Sequence, residues 1–242
     1  IHLAFWIFNA HMPILSENVK RKGALTWIDL LVKKVNEGCK VKIILSDFDP
    51  ILQNTNHVAA WKAYLLISLK RETLEPDKQN NLECICSLHN AVIKVGVGDI
   101  LQNGLKKIVS KLNKKADTIK ALQTMPGLWN SIVETGNSGK IAESITPKMV
   151  AHPAAHHQKI CIVDTSVAII GGIDPMEGRI DSPAHRKMLW HDIDCKIEGD
   201  IVNDIEQNFV SRWNDEYPKC NQFIEFANKL LPKCKIPIVA QN

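Results

Sequence analysis

At 242 residues and 45% hydrophobic content, the chain can bury a sizeable core and is sized for one large domain or two small ones. Its net charge of +4 is too small to mark a dedicated nucleic-acid binder and is compatible with an anionic substrate or a membrane surface. No apolar run approaches the roughly 20 residues that cross a bilayer. The chain opens on Ile1, already inside an apolar stretch, which is expected of a protein that extends upstream, was cut, or is disordered there. Seven cysteines, with no C-x-x-C pair, argue against a zinc site. They read as small buried residues, with a Cys220–Cys234 bridge as the oxidised alternative, so the redox compartment stays open.

Apolar runs of strand length alternate with amphipathic stretches over the first hundred residues, the pattern of βα units. Residues 1–8 predict a strand. Residues 25–35 predict a helix, with Leu25, Ile28, Leu31, Val32 and Val35 on one face and Gly38 placed to end it. A strand is expected at 41–45, a helix at 58–69 and a strand at 91–97. From about 100 to 135, Leu101, Leu105, Ile108 and Leu112 fall at helical spacing among five lysines, followed by Met125-Pro126-Gly127-Leu128-Trp129. This predicts a helical insertion, either a solvated face with a tucked turn or a basic, Trp-tipped lid that touches lipid. No internal repeat is evident.

The chemistry concentrates in His156-His157-Gln158-Lys159-Ile160-Cys161-Ile162-Val163-Asp164, an H-x-K-x4-D pattern, followed by a second apolar run to Gly171-Gly172-Ile173-Asp174. Two apolar strands around Asp164-Thr165-Ser166 predict a hairpin. Alternation along a strand puts His157 and Lys159 on one side and His156 and Gln158 on the other. A neutral imidazole can attack phosphorus near neutral pH, and a lysine two residues on can neutralise the non-bridging oxygens. Asp164 starts the turn with the opposite parity, so it is expected to fix the hairpin rather than touch reacting atoms. Gly171 and Gly172 either let backbone approach a phosphate closely or simply make a tight turn.

The bare pattern would occur about once in twenty shuffled chains, and here His185-x-Lys187-x4-Asp192 fits it too. That second match has no apolar strand between its Lys and Asp and no Gly-Gly after it. The first match carries further blocks: Gly171-Gly172-Ile173-Asp174, Gly178-Arg179, Trp190-His191-Asp192-Ile193, Ile197-Glu198-Gly199, and Asn208-Phe209 with Arg212-Trp213. From Ala151 to about Asp215 the chain resembles the first-motif half of eukaryote-type enzymes of the phospholipase D superfamily. Ala4-Phe5-Trp6-Ile7-Phe8-Asn9 and Ile43-Ile44-Leu45-Ser46-Asp47 resemble it more weakly. Pro175-Met176 departs from the family pattern, which bears on local loop shape.

The resemblance implies an α/β fold, a layered α/β/α sandwich on a mixed, mostly parallel sheet. The chain would then be a single catalytic half with one such motif. It also implies a phosphodiesterase that frees phosphatidate and a headgroup alcohol from glycerophospholipids through a phosphohistidine on His157. In that scheme Lys159 holds the phosphate and Asp192 orients the imidazole. Gly171, Gly172, Asp174, Trp190 and His191 lie toward the substrate. A complete site needs a second histidine, from a downstream half or a homodimer mate. No metal is required by this chemistry, and calcium dependence is left open. The expected partner is a phospholipid at a membrane surface, with peripheral association and, as one option, secretion or export. Sparse aromatics speak against nucleic acid. A superfamily nuclease, a phosphatidyltransferase of cardiolipin-synthase type and an inactive scaffold are the alternatives.

Overall fold

The computed structural model describes residues 1–48, 53–87, 93–96, 148–151, 154–179 and 190–230. The strands are β1 (His2–Phe5), β2 (Val41–Ser46), β3 (Leu82–Ser87), β4 (Ile93–Gly96), β5 (Lys148–Ala151), β6 (Ile160–Val163), β7 (Val167–Gly171) and β8 (Asp194–Glu198). The helices are α1 (Glu17–Arg21), α2 (Trp27–Asn36), α3 (Asn54–Glu72) and α4 (Ile201–Leu230). The predicted insertion at about 100–135 and Cys234 lie outside the described residues. Cys220 is a free, buried thiol whose pKa burial pushes up to about 12.

Six strands form one sheet in the order β3-β2-β1-β6-β7-β8, and β4 and β5 form a separate antiparallel pair. The fold is therefore α/β, as expected. The expected parallel majority is corrected: β1–β2 and β2–β3 are parallel, whereas β1–β6, β6–β7 and β7–β8 are antiparallel. The reason is the hairpin. Three residues between β6 and β7 leave no room for the crossover that a parallel pair needs. β3, whose Leu-Glu-Cys-Ile-Cys-Ser sequence mixes charge into an apolar run, takes the sheet edge.

Local sequence explains the element ends. Thr26 and Asp29 form a reciprocal capping box that starts α2, and Gly38 adopts φ +92° just beyond its end. β1 stops at Phe5 although apolar residues continue, because the next two amides find another acceptor: Trp6 N and Ile7 N both donate to Asp174 Oδ1, at 3.1 and 2.9 Å. In the β6–β7 turn both Asp164 and Thr165 have positive φ, as a primed hairpin turn requires.

Strand parity assigns the layers. Trp27 of α2 meets Phe5 edge-on and Trp61 of α3 donates to Asp47, so those helices cover the face carrying Leu3, Phe5, Ile43 and Leu45. On the opposite face α4 stacks Phe209 on His2, places Trp213 under Lys42 and sends Arg212 to Ser46 and Ser87. The core between them includes Ile43, Ile44, Leu45, Ile67, Leu82 and Ile85, all nearly inaccessible to solvent. Each such side chain contributes about 1.5–3 kcal/mol by leaving water.

The His2–Phe209 stack, 4.6 Å between centres, makes a testable electrostatic feature. Burial, then the amino terminus and Lys42, lowers the His2 pKa from 6.5 to about 4. Its Nδ1 lies 3.1 Å from Glu206 Oε1, but a neutral imidazole forms no ion pair there at pH 7. As pH falls from 6.5 towards 4, the unfolded chain takes up a proton that the folded one refuses, so stability is lost across that window. His2→Phe keeps the stack and removes the titration. Urea unfolding at pH 7 and pH 5 should therefore show a smaller acid loss in the variant, and equal losses would remove His2 from the effect.

Candidate functional site

β1 and β7 both run antiparallel to β6, so their carboxyl ends lie beside the start of β6. β2 and β3 run parallel to β1 and end on that side, and β8 begins there. One edge of the sheet thus collects residues 6–9, 46–48, 154–159, 171–175 and 190–194. This is where open α/β sheets place their ligands, because the backbone leaves the sheet there and loops can converge.

Trp6 is the centre of the arrangement. The exposed His157 ring packs edge-on against it at 4.4 Å between centres, and Lys159 Nζ lies 4.9 Å from the indole centre. The expected alternation holds through the segment before β6: His157 and Lys159 share the indole, whereas Gln158 donates to Asn208 Oδ1 at 2.8 Å and accepts from Arg212 Nη1 at 2.7 Å. Partial desolvation of the His157 ring, then the charges of Lys159 and Arg179, hold its pKa below the ordinary 6.5. The imidazole is consequently neutral, with its lone pair available, at pH 7.

Lys159 is 5% exposed and Asp174 is 0% exposed. Their Nζ and Oδ2 atoms are 3.5 Å apart, an ion pair without a short hydrogen bond, and neither atom has a hydrogen-bond partner among the described residues. Burial lowers the Lys159 pKa and raises that of Asp174, and the two charges oppose those shifts in each other. The lysine charge is balanced while its N–H donors remain unspent. Lys159 and Asp174 also line, with Asp194, a largely apolar cavity of about 400 Å³ formed with Phe5, Ile14, Trp27 and Ile169. On the other side, His157 and Lys159 border an open groove of about 820 Å³ with Ile170, Ile197 and Asn208.

The other sequence-predicted residues have varied surroundings. Asp174, expected at the substrate, is buried, holding Lys159 and the Trp6 and Ile7 amides. Asp192 sits against Gly172, and its Oδ1 accepts from Ile193 N at 2.9 Å. No hydrogen bond joins it to His157; it acts on that imidazole only as a nearby charge that raises the pKa. Gly171 and Gly172 lack room above their Cα atoms because β8 enters there: a Cβ on Gly171 would come within 2.6 Å of Asp194 Cα, and one on Gly172 would strike the Asp192 carboxylate. Asp164 lies at the far end of β6, seven residues from His157, or about 23 Å along an extended strand. Trp190 and His191 are exposed; Trp190 packs on Arg179. His185 and Lys187 lie outside the described residues.

Sequence reading named no role for the residues that brace this site. Arg212, 8% exposed, donates to Ser46 Oγ at 3.4 Å, Ser87 Oγ at 3.2 Å and Gln158 Oε1, and burial lowers its pKa to about 10. Ser46 Oγ in turn donates to the His156 carbonyl. This network ties the segment carrying His157 to the ends of β2 and β3. Asp47 accepts from His57 Nδ1 at 2.6 Å, Trp61 Nε1 at 2.9 Å and Phe48 N at 2.8 Å, and thereby sets Phe48 against Trp6. The available signal was polar residues, Ser46, Asp47 and Ser87, at the ends of apolar strands, where a structural polar group needs a partner.

Among the described residues, no helix is long and apolar enough to cross a membrane. A family model described as phospholipase D matches residues 186–235, a stretch that starts beyond His157 and takes in Asp192, β8 and all of α4. Phospholipase D delta of Arabidopsis thaliana is 31% identical over 111 residues, 32% of this chain and 12% of the relative. Phospholipase D alpha 1 of Spuriopimpinella brachycarpa is 21% identical over 257 residues, 89% of this chain and 25% of the relative. Phospholipase D of Phytophthora infestans is 26% identical over 133 residues, 35% of this chain and 7% of the relative. The chain spans a quarter or less of the length of these relatives. With a family-model match over residues 186–235 and relatives that are all named phospholipase D, the chain is similar over part of its length to the phospholipase D superfamily.

Proposed function

We propose that this chain supplies one histidine half of a phosphodiesterase site that hydrolyses glycerophospholipids to phosphatidate and a free alcohol. The observation that carries the reading is the meeting of a neutral, exposed imidazole and a buried, charge-balanced lysine on one indole ring. His157 attacks phosphorus, forming the N–P bond as the headgroup alkoxide leaves. A second histidine, from another half of the protein or a partner chain, protonates that alkoxide. Water then cleaves the phosphohistidine. Lys159 neutralises the non-bridging oxygens, and Asp174 keeps the ammonium in place. No step calls for a metal.

The apolar cavity beside Lys159 favours a lipid over a nucleic acid, because a nucleotide offers bases and sugars rather than hydrocarbon to that wall. The test is a substrate panel for the intact protein: phosphatidylcholine vesicles with and without a primary alcohol, and single- and double-stranded DNA. Lipid cleavage with an acid-labile phosphoryl adduct mapped to His157 by mass spectrometry is expected. Transfer to the alcohol without hydrolysis would replace the hydrolase reading with a phosphatidyltransferase. Cleavage of DNA alone would overturn the lipid reading, and no turnover with an intact second half would leave a scaffold.

A further inference from the structure

Arg179 ends a 3-10 turn at Glu177–Arg179, immediately after the loop that carries Asp174. Its guanidinium carbon lies over two indoles, 5.1 Å from the centre of Trp6 and 4.2 Å from that of Trp190. Contact with ring faces holds a guanidinium in place without using its N–H donors. Among the described residues those donors meet no carboxylate and no hydrogen-bond acceptor. A half-buried cation held by aromatic contacts, with donors that meet no acceptor among the described residues, is organised for a ligand rather than for the fold.

Its neighbours say which ligand. Trp6, the ring under Arg179, is the same ring that His157 packs on edge-on at 4.4 Å and that Lys159 Nζ approaches at 4.9 Å. The arginine is close enough for its charge to act on His157, Lys159 and Asp174 alike. Asp174 pairs with Lys159, and Arg179 adds a second cation whose charge reaches the imidazole, as does the charge of Asp192. The planar fork of an arginine matches two oxygens of a phosphate, a geometry that a lysine cannot supply.

We propose that Arg179 is a substrate-binding residue of this site, the second cation of a two-cation clamp that, with Lys159, holds the non-bridging oxygens of a phosphodiester at His157. The proposal rests on the phosphodiesterase reading and deepens it. Lys159, the more buried of the two, contributes charge, and half-buried Arg179 contributes the bidentate fork. Trp6 and Trp190 keep that fork aimed, so both indoles report on its occupancy.

The experiment is a titration of the 242-residue chain with dimethyl phosphate and with inorganic phosphate. It is read by tryptophan fluorescence and by the His157 imidazole resonances, with thermal midpoints recorded alongside. Arg179→Gln is expected to weaken binding by about tenfold and Arg179→Lys to restore part of it, at unchanged thermal midpoint. Lys159→Met should weaken binding comparably, and Lys196→Met, at an exposed β8 position, should leave it unaltered. If Arg179→Gln fails to fold, Arg179→Lys carries the test, with a loss of at least threefold expected. Parent-like binding by the Arg179 variants together with weakened binding by Lys159→Met would overturn the clamp and leave the phosphodiesterase reading standing. Equal binding by every variant, or no binding by the parent, would overturn both.

Discussion

Replacing His157 with Ala is expected to lower turnover of the intact protein by roughly 10,000-fold or more, because a covalent route loses its nucleophile outright. The fold should barely notice. The ring is exposed and its described contact is one edge-on approach to Trp6, worth about 0.5–1.5 kcal/mol. Unfolding free energy within about 1.5 kcal/mol of the parent, with turnover lost, is the predicted outcome. The pH profile adds a sign. Desolvation, then Lys159 and Arg179, lowers the His157 pKa, so the acid limb of kcat/KM should fall below the ordinary imidazole range. Substantial turnover by His157→Ala would sink the phosphohistidine route.

Asp174→Ala should produce the largest loss of stability of any single substitution near the site. At 0% exposure its carboxylate accepts from Trp6 N and Ile7 N and pairs in charge with the Lys159 ammonium 3.5 Å away. Breaking a buried ion pair on one side costs about 3–5 kcal/mol, and each amide left without an acceptor costs about 1–3 kcal/mol. The terms overlap, so a net loss of about 4 kcal/mol or more is expected by urea denaturation. Asp174→Asn separates the roles, since its amide oxygen still accepts from Trp6 and Ile7 while the charge is gone. It should recover part of the stability, lower the Lys159 pKa further and weaken phosphate binding. An Asp174→Ala protein within 1 kcal/mol of the parent would show that the β1 end and Lys159 do not depend on this carboxylate.

These two residues mark how unevenly the site could be read. His157 and Lys159 were legible because two-residue alternation is a local rule, and it held even though β6 proper begins at Ile160. Asp164 was legible as a turn residue for the same reason, and its positive φ belongs to the hairpin. Asp192 and Asp174 were both assigned by resemblance. Burial and packing set their surroundings: the Asp192 carboxylate lies against Gly172, and Asp174 is buried with its Oδ1 on the Trp6 amide. Neither burial nor packing is a local property. The strand at 82–87 escaped for a related reason, since Glu83 is tolerable there only because Lys42 of the neighbouring strand approaches it at 3.2 Å.

The sequence by itself determined the α/β class, the early helices and strands, the hairpin, and the side on which His157 and Lys159 lie, because periodicity, capping and turn chemistry act within a few residues. Only the tertiary structure decided the antiparallel half of the sheet, the use of Trp6 as a common platform, the Arg212 network behind Gln158, and the burial of Asp174 as counter-ion to Lys159. Those depend on which chain segments meet at one sheet edge from positions as much as 168 residues apart, and charge balance is settled only where they meet.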